Sequence, residues 1–279
     1  MMEKPLDGRR VLVTGIANEN SLALAVAEKL KTEGAELVCA GLGPTKHQDG
    51  LSEAAMSFLK ESFSTFQKAV RDRLGEETPC LVFDASEDAS IDEMAGELVG
   101  SDLQLDGVLH AIAFDRTIRG GEATPLLNVS RKDFLDCMGI SAYSLIALMR
   151  ALHERERLNH SASVVALSYI GAERITSHPY RNIGMAKAAL ERITRELAAE
   201  LGNAAAIRVN SLRFSPFAES RAGGAIPKLI ESVEDANLRS PLGNATPEAL
   251  GLEVAHLMRP GVMVTGETRH VDGGYHALA

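Results

Sequence analysis

The chain has 279 residues, 45% of them apolar, and a formal net charge of −9; it can bury a large core, and its acidic balance argues against nucleic-acid binding. Three scattered cysteines, Cys39, Cys80 and Cys137, exclude a disulfide framework and a cysteine metal cluster. No run of 18 apolar residues and no apolar signal core after Met1 is legible, so the reading is one cytoplasmic domain over 1–279 with no membrane span.

Taken in chain order, apolar runs predict strands at Arg10 to Thr14, Glu36 to Ala40, Pro79 to Asp84, Gly107 to Ala113, Ser163 to Leu167 and Ala206 to Leu212, with a short last strand at Val262 to Thr265. Helical spacing predicts Ser21 to Thr32, Arg131 to Glu156, Tyr180 to Leu201 with Gly202 as stop, and Pro247 to Met258. Between Gly43 and Pro79, Leu51, Ala55, Leu59, Phe63, Phe66, Val70 and Leu74 recur at steps of three and four, the stripe of a crossover helix. This alternation predicts an α/β fold: one Rossmann-like, doubly wound parallel sheet of about seven strands, flanked by helices. Such sheets bind ligands beyond the carboxyl ends of their strands, where Gly15, Asp84, Ala113 and Ser168-Tyr169 fall.

Gly15 follows the first strand and permits a tight turn, and Ser21 stands where it can cap the next helix. Free amides and the helix dipole there suit a diphosphate, although a single glycine is not the full dinucleotide fingerprint. Asp84 ends the third strand, placed either to bond an adenine amino group or to cap a turn. Asp272-Gly273-Gly274 reads as a turn. Ser168-Tyr169-Ile170-Gly171-Ala172-Glu173-Arg174, Tyr180 and Lys187 gather two phenols and an ammonium at a strand-to-helix junction. A phenol can bond a developing oxyanion, and an ammonium can hold a ribose and favour nearby negative charge.

Together these motifs resemble the enoyl-acyl-carrier-protein reductases, a divergent branch of the short-chain dehydrogenases. The resemblance runs from about Gly8 to the C-terminus and also takes in Val13-Thr14-Gly15-Ile16-Ala17, Glu87 to Asp92, Leu105 to Phe114, Arg208-Val209-Asn210, Ser240-Pro241-Leu242 and His270 to Gly274. Ordinary short-chain dehydrogenases separate the tyrosine and lysine by four positions. The enoyl reductase branch separates them by seven, as do Tyr180 and Lys187 here. Seven steps make almost two helical turns and keep both on one face.

The resemblance implies that reduced nicotinamide, NADH or NADPH, gives hydride to the β-carbon of a trans-2-enoyl thioester carried by acyl carrier protein or CoA. It implies Tyr169, Tyr180 and Lys187 as catalytic residues, and Gly15, Ser21, Leu22, Asp84, Ala85, Ile112, Ala113, Lys187 and Phe217 as the cofactor site. It also implies a homotetramer built through long helices such as Arg131 to Glu156 and Tyr180 to Leu201. No acidic selector for NADH and no basic selector for NADPH is evident after the second strand, where Leu42 stands.

Several positions depart from the family pattern. Ser215-Pro216-Phe217-Ala218-Glu219 replaces a Gly-Pro-Ile-x-Thr-like turn, so Glu219 places a carboxylate near the phosphates unless it turns away or Arg213 or Arg221 compensates. Ala113 replaces a glycine, and the Tyr169-to-Tyr180 interval is longer by one residue. The segment 218–236 predicts a substrate lid or a static helix. Arg174, Arg181 and Arg221 are candidates for docking an acidic carrier protein. Reduction of another ketone or enone, and a non-catalytic nucleotide-binding homologue, are the competing readings.

Overall fold

The computed structural model describes residues 4–48, 50–220 and 223–278. β1 (Arg10–Thr14) leads through α1 (Leu22–Thr32) to β2 (Glu36–Gly41), and α2 (Glu53–Leu74) crosses over to β3 (Cys80–Val82). α3 (Asp88–Gly100) follows, then β4 (Leu105–His110) and a small hairpin, β5 (Ile118–Arg119) and β6 (Glu122–Ala123). α4 (Arg131–Met138) and α5 (Ser144–Glu154) are joined by one π-helical turn, Gly139–Tyr143. β7 (Leu158–Tyr169), α6 (Arg181–Ala205) and β8 (Arg208–Phe214) come next. α7 (Leu229–Arg239), α8 (Pro247–Met258), β9 (Thr268–Val271) and the short α9 (Tyr275–Leu278) close the order.

Seven of these strands form one parallel sheet in the order β3-β2-β1-β4-β7-β8-β9. The order reverses direction at β1 and β4, and a doubly wound sheet opens its ligand crevice at that point. Each sheet face carries its own apolar core. Leu24, Leu30, Phe66, Val70, Leu250 and Val254 pack from α1, α2 and α8 on one side. Met94, Leu98, Leu145, Leu148, Leu152 and Leu190 pack from α3, α5 and α6 on the other. The strands read as continuous apolar runs because both their faces are covered.

The helical stripe after Gly43 is the crossover helix α2. It begins later than the stripe: Leu51 is exposed, Ser52 accepts the Ala55 N–H as N-cap, and Leu59, Phe66, Val70 and Leu74 form the buried face. The long helical pattern from Arg131 is one helix interrupted by the π turn. The run 131–154 is long and apolar enough to cross a membrane by composition, and 56% of its apolar window is buried against the protein's own core. Gly202 does not stop α6, which continues to Ala205 and ends where Ala206 turns left-handed at φ +54°.

The last strand is not at Val262 to Thr265 but at Thr268–Val271. Apolar content pointed to the earlier segment, yet Met263 there is almost fully exposed. Side chains hold that segment in place of a ladder: Asn210 donates to the Val264 carbonyl at 2.9 Å, and Val209 N–H donates to Thr265 Oγ1 at 3.0 Å. Gly266, at φ +73°, turns the chain so that Thr268 pairs with Ser211.

Candidate active site

Gly15 is dictated by packing. At φ +88° it passes so close to β4 that a Cβ would lie 2.1 Å from the Ala111 carbonyl oxygen. Ser21 takes the N-cap position of α1, but its hydroxyl turns back to the loop. It accepts the Ala17 and Asn18 amides at 2.9 and 3.1 Å, so the expected side-chain cap of the helix is not made. The Leu22 and Ala23 amides have no hydrogen bond among the described residues. These two N–H groups lie at the positive end of α1, an arrangement that suits an anion.

Asp84 stands at the end of β3 beside a groove lined by His47, Gln48, Leu51, Ala55 and Ser86. Its carboxylate accepts Gln48 Nε2 at 2.6 Å and both donors of Ser86, so it fixes the groove's floor. Ala85, next to it, is half-buried against the core. Lys46 and His47 pair with Glu93, which lowers the pKa of that carboxyl. Leu42 is partly exposed.

β7 carries Tyr169, and α6 carries Lys187 with Tyr180 at its N-cap. Tyr169 is buried and Tyr180 half-buried, with ring centroids 4.9 Å apart in an edge-to-face contact. Neither hydroxyl has a hydrogen-bond partner among the described residues. Burial raises the pKa of both phenols above the ordinary value, so both stay protonated at neutral pH. Gly171 makes their pairing possible: a Cβ there would lie 2.5 Å from Tyr180 Cδ1 and 3.1 Å from Tyr169 Cδ1. Gly184 lets α6 approach, since its Cβ would lie 2.6 Å from the Gly171 carbonyl oxygen.

Lys187 is buried almost two helical turns along from Tyr180. Its ammonium donates to the Ile112 carbonyl at 2.9 Å and to the Leu167 carbonyl at 2.7 Å, tying α6 to the ends of β4 and β7. Burial pushes its pKa down to about 8. Ile112 is partly buried against the core and Ala113 is exposed at the crevice. Phe217 packs beside Phe214, ring centroids 6.4 Å apart.

The Ser168-to-Arg174 run has a second purpose beneath the phenols. Ser168 donates to Glu191 at 2.6 Å, Arg213 grips Glu191 through two bonds of 2.8 and 2.6 Å, and Arg213 also bonds Glu173. Arg213 and Glu191 are both buried. Arg213 is therefore committed to Glu191 and Glu173 and does not compensate Glu219, which is exposed. Arg221 lies outside the described residues. Ser215 is buried and accepts the Ala245 amide at 2.9 Å. Arg181 is withdrawn from any docking surface, because its guanidinium bonds the Ala123 and Thr124 carbonyls. Arg174 stays partly exposed.

Asp272-Gly273-Gly274 is the expected turn. Gly273 at φ +64° passes within what would be 1.9 Å of the Gly243 carbonyl oxygen, and Asp272 accepts the Gly274 and His276 amides. His270, Asp272 and His276 meet there, with the two imidazoles stacked at 3.8 Å, Asp272 bonded to His276 Nδ1 at 2.9 Å and His270 Nδ1 3.3 Å from the Asp272 carboxylate.

Sequence reasoning missed His178. It is buried, with its ring 5.4 Å from Tyr169 and 5.7 Å from Tyr180. It lies inside the interval longer by one residue, and that irregularity was the available signal. Ser141 was also missed. From the π turn it accepts the Phe114 amide at 2.9 Å and donates to the Phe114 carbonyl, pinning the loop after β4.

Comparison with known proteins bears directly on this arrangement. A profile of the family described as "Enoyl-(Acyl carrier protein) reductase" matches residues 15–276. This chain is an enoyl-acyl-carrier-protein reductase family member. It is 32% identical over 283 residues to the NADH-dependent enoyl-acyl-carrier-protein reductase of Bacillus subtilis strain 168, covering all of both chains. It is 34% identical over 280 residues to that of Haemophilus influenzae, covering 98% of this chain and 96% of the relative. Among solved structures, the Bacillus cereus reductase with NADP+ and an indole naphthyridinone has a TM-score of 0.84 at 27% identity, covering both chains fully. The Alistipes finegoldii enzyme in its NADH complex has a TM-score of 0.85 at 25% identity, covering 99% of this chain and 90% of that one.

Proposed function

We propose that this family member reduces the carbon–carbon double bond of a trans-2-enoyl thioester, carried by acyl carrier protein, in fatty-acid synthesis, with NADH as the reductant. The observation that carries the reading is the paired phenols of Tyr169 and Tyr180 with Lys187 almost two helical turns along, at the carboxyl ends of β4 and β7. NADH suits this chain because, among the described residues, the groove beside Asp84 has no free basic pair to meet a 2′-phosphate: Lys46 and His47 are both engaged by Glu93.

The residues present fit a dinucleotide. The Leu22 and Ala23 amides, with Gly15 and Ser21 shaping the loop, would hold the diphosphate. Asp84 and Ala85 would line the adenine end, and Ile112, Ala113 and Phe217 the nicotinamide end. Lys187 would bond the ribose there. Bound NADH supplies the hydride that reaches the substrate's β-carbon. Tyr180 donates its O–H to the thioester oxygen and stabilises the enolate charge, Tyr169 walls the same pocket, and the Lys187 ammonium adds positive potential. Raised phenol pKa values keep both donors protonated while that charge forms.

The proposal extends to the whole protein: one domain, cytoplasmic, with the described part of 218–236 (218–220 and 223–236) closing over the acyl chain and Arg174 as the surviving candidate for carrier-protein docking. A homotetramer through α4, α5 and α6 is supported by large exposed side chains on Leu135 of α4, Tyr143 of the π turn between α4 and α5, and Met185 of α6. Loss of reduced-nicotinamide absorbance with a trans-2-enoyl-CoA tests the reaction. Tyr180→Phe should lower kcat on the order of 100-fold, the effect of removing one oxyanion donor, with NADH affinity by calorimetry unchanged. Wild-type protein that binds neither nicotinamide and turns over no enoyl thioester would overturn the reading.

A further inference from the structure

The groove beside Asp84 sets a hydrogen-bond donor next to an acceptor. Asp84 divides its two oxygens. Oδ1 accepts the Ser86 amide at 2.9 Å and the Ser86 hydroxyl at 2.6 Å, and among the described residues Oδ2 accepts only Gln48 Nε2, at 2.6 Å. A carboxylate oxygen can accept a second bond, and a primary amide nitrogen carries two N–H groups. The second N–H of Gln48 has no acceptor among the described residues. Gln48 and Asp84 are both half-buried and both line the groove.

The Gln48 amide is held in one orientation. Its Oε1 accepts the Thr45 amide at 2.9 Å, and Thr45 Oγ1 in turn accepts the His47 amide at 3.2 Å. A flipped amide would set its oxygen against the Asp84 carboxylate and its NH2 against the Thr45 N–H, losing both bonds. The donor is therefore in place before a ligand arrives, and binding does not have to order a long side chain. The walls around the pair are apolar: Leu51 comes from the loop before α2, and Ala55 and Leu59 from α2 itself. The groove has a volume of about 330 Å³, the size of a small-molecule site.

Resting on the cofactor reading above, we propose that Gln48 and Asp84 together select the base of the dinucleotide, taking adenine and rejecting hypoxanthine. Adenine carries its amino group, a donor, beside the ring nitrogen N1, an acceptor. Asp84 Oδ2 takes an N–H of the amino group, and the second N–H of Gln48 donates to N1. Hypoxanthine reverses this order, with a carbonyl in place of the amino group and a hydrogen on N1. In the same pose its carbonyl oxygen faces the Asp84 carboxylate and its N–H faces that of Gln48, so both bonds are lost and like groups oppose each other. Gln48 is thus a specificity-determining residue, and Ser86 a positioning residue that fixes the carboxylate from its other oxygen.

The test is calorimetric titration of the full-length protein with NADH and with reduced nicotinamide hypoxanthine dinucleotide, which differs from NADH only in the base. Wild-type protein should bind NADH on the order of 10- to 100-fold more tightly than the analogue. Gln48→Leu should weaken NADH about tenfold while the analogue binds no more weakly than before, so the preference narrows. Equal affinity of the wild-type protein for the two dinucleotides would overturn the proposal, and that comparison needs no variant. A Gln48→Leu protein that loses affinity for both to the same extent would overturn it as well, because Gln48 would then shape the groove without reading the base. Wild-type protein that binds neither dinucleotide would instead overturn the cofactor assignment itself.

Discussion

Lys187 carries the sharpest consequence of burial at a single residue. Its pKa is pushed down to about 8 because the ammonium is removed from water, whereas both neighbouring phenols are pushed up and out of the working range. The alkaline limb of kcat/KM in the free enzyme therefore belongs to Lys187: activity should hold below pH 8 and fall above it, read from a pH–rate profile. The stability effect has the opposite sense. A folded value below the ordinary one means that the buried charge costs stability at neutral pH, and the cost eases as pH rises through 8. Gly171 is as exacting for shape. Gly171→Ala should displace the Tyr180 ring and cost on the order of 100-fold in kcat, the scale of an ångström's misplacement, while the melting temperature moves little.

Elements in this fold are joined under the site by charge as well as by apolar packing. β7, α6 and β8 meet at Ser168, Glu191 and Arg213, with Glu173 reaching in from the loop after β7. Much of the branch-specific Ser168-to-Arg174 run is explained by this network, since Ser168 and Glu173 serve it while Tyr169 serves the pocket. Removing one member leaves the other charge buried without compensation. Arg213→Met should cost about 3–5 kcal/mol in urea denaturation, and Arg213→Met with Glu191→Leu should cost less than that single change. A double variant as unstable as the sum of two singles would show that the pair is not coupled. The π turn between α4 and α5 is a second join: Ser144 donates to the Ile140 carbonyl and lies 2.8 Å from His110 Nε2, while Ser141 holds Phe114.

Across the whole molecule buried neutral histidines contribute to the acid response, beside carboxyls such as Glu93 and Asp272 whose pKa is lowered. Burial lowers His110 to about 3 and His178 to about 4, so in both the folded state resists protonation. The unfolded chain binds these protons from about pH 6.5 downward. The histidines' contribution should be full above that value and fall through pH 4 towards pH 3, by a few kcal/mol in all. Urea midpoints measured against pH check this, and His178→Phe should flatten the upper part of the fall.

The pattern of strands and helices was legible because each strand is apolar on both faces and each helix keeps one stripe. The same is true of Gly15, Tyr180 and Lys187, whose local spacing places them at one end of the sheet. The last strand was misplaced because Thr268–Val271 is only half-buried and less apolar than the segment before it. The direction of the Ser21 hydroxyl, the commitment of Arg213 to Glu191, and the meeting of His178 with Ser232 depend on residues 3 to 54 positions apart in sequence. By itself the sequence determined the fold class and the family and pointed to the residues proposed to react, since those rest on periodicity and short-range spacing. Only the tertiary structure decided which charges are already paired and which buried nitrogen is left without a partner, because both depend on contacts between distant segments.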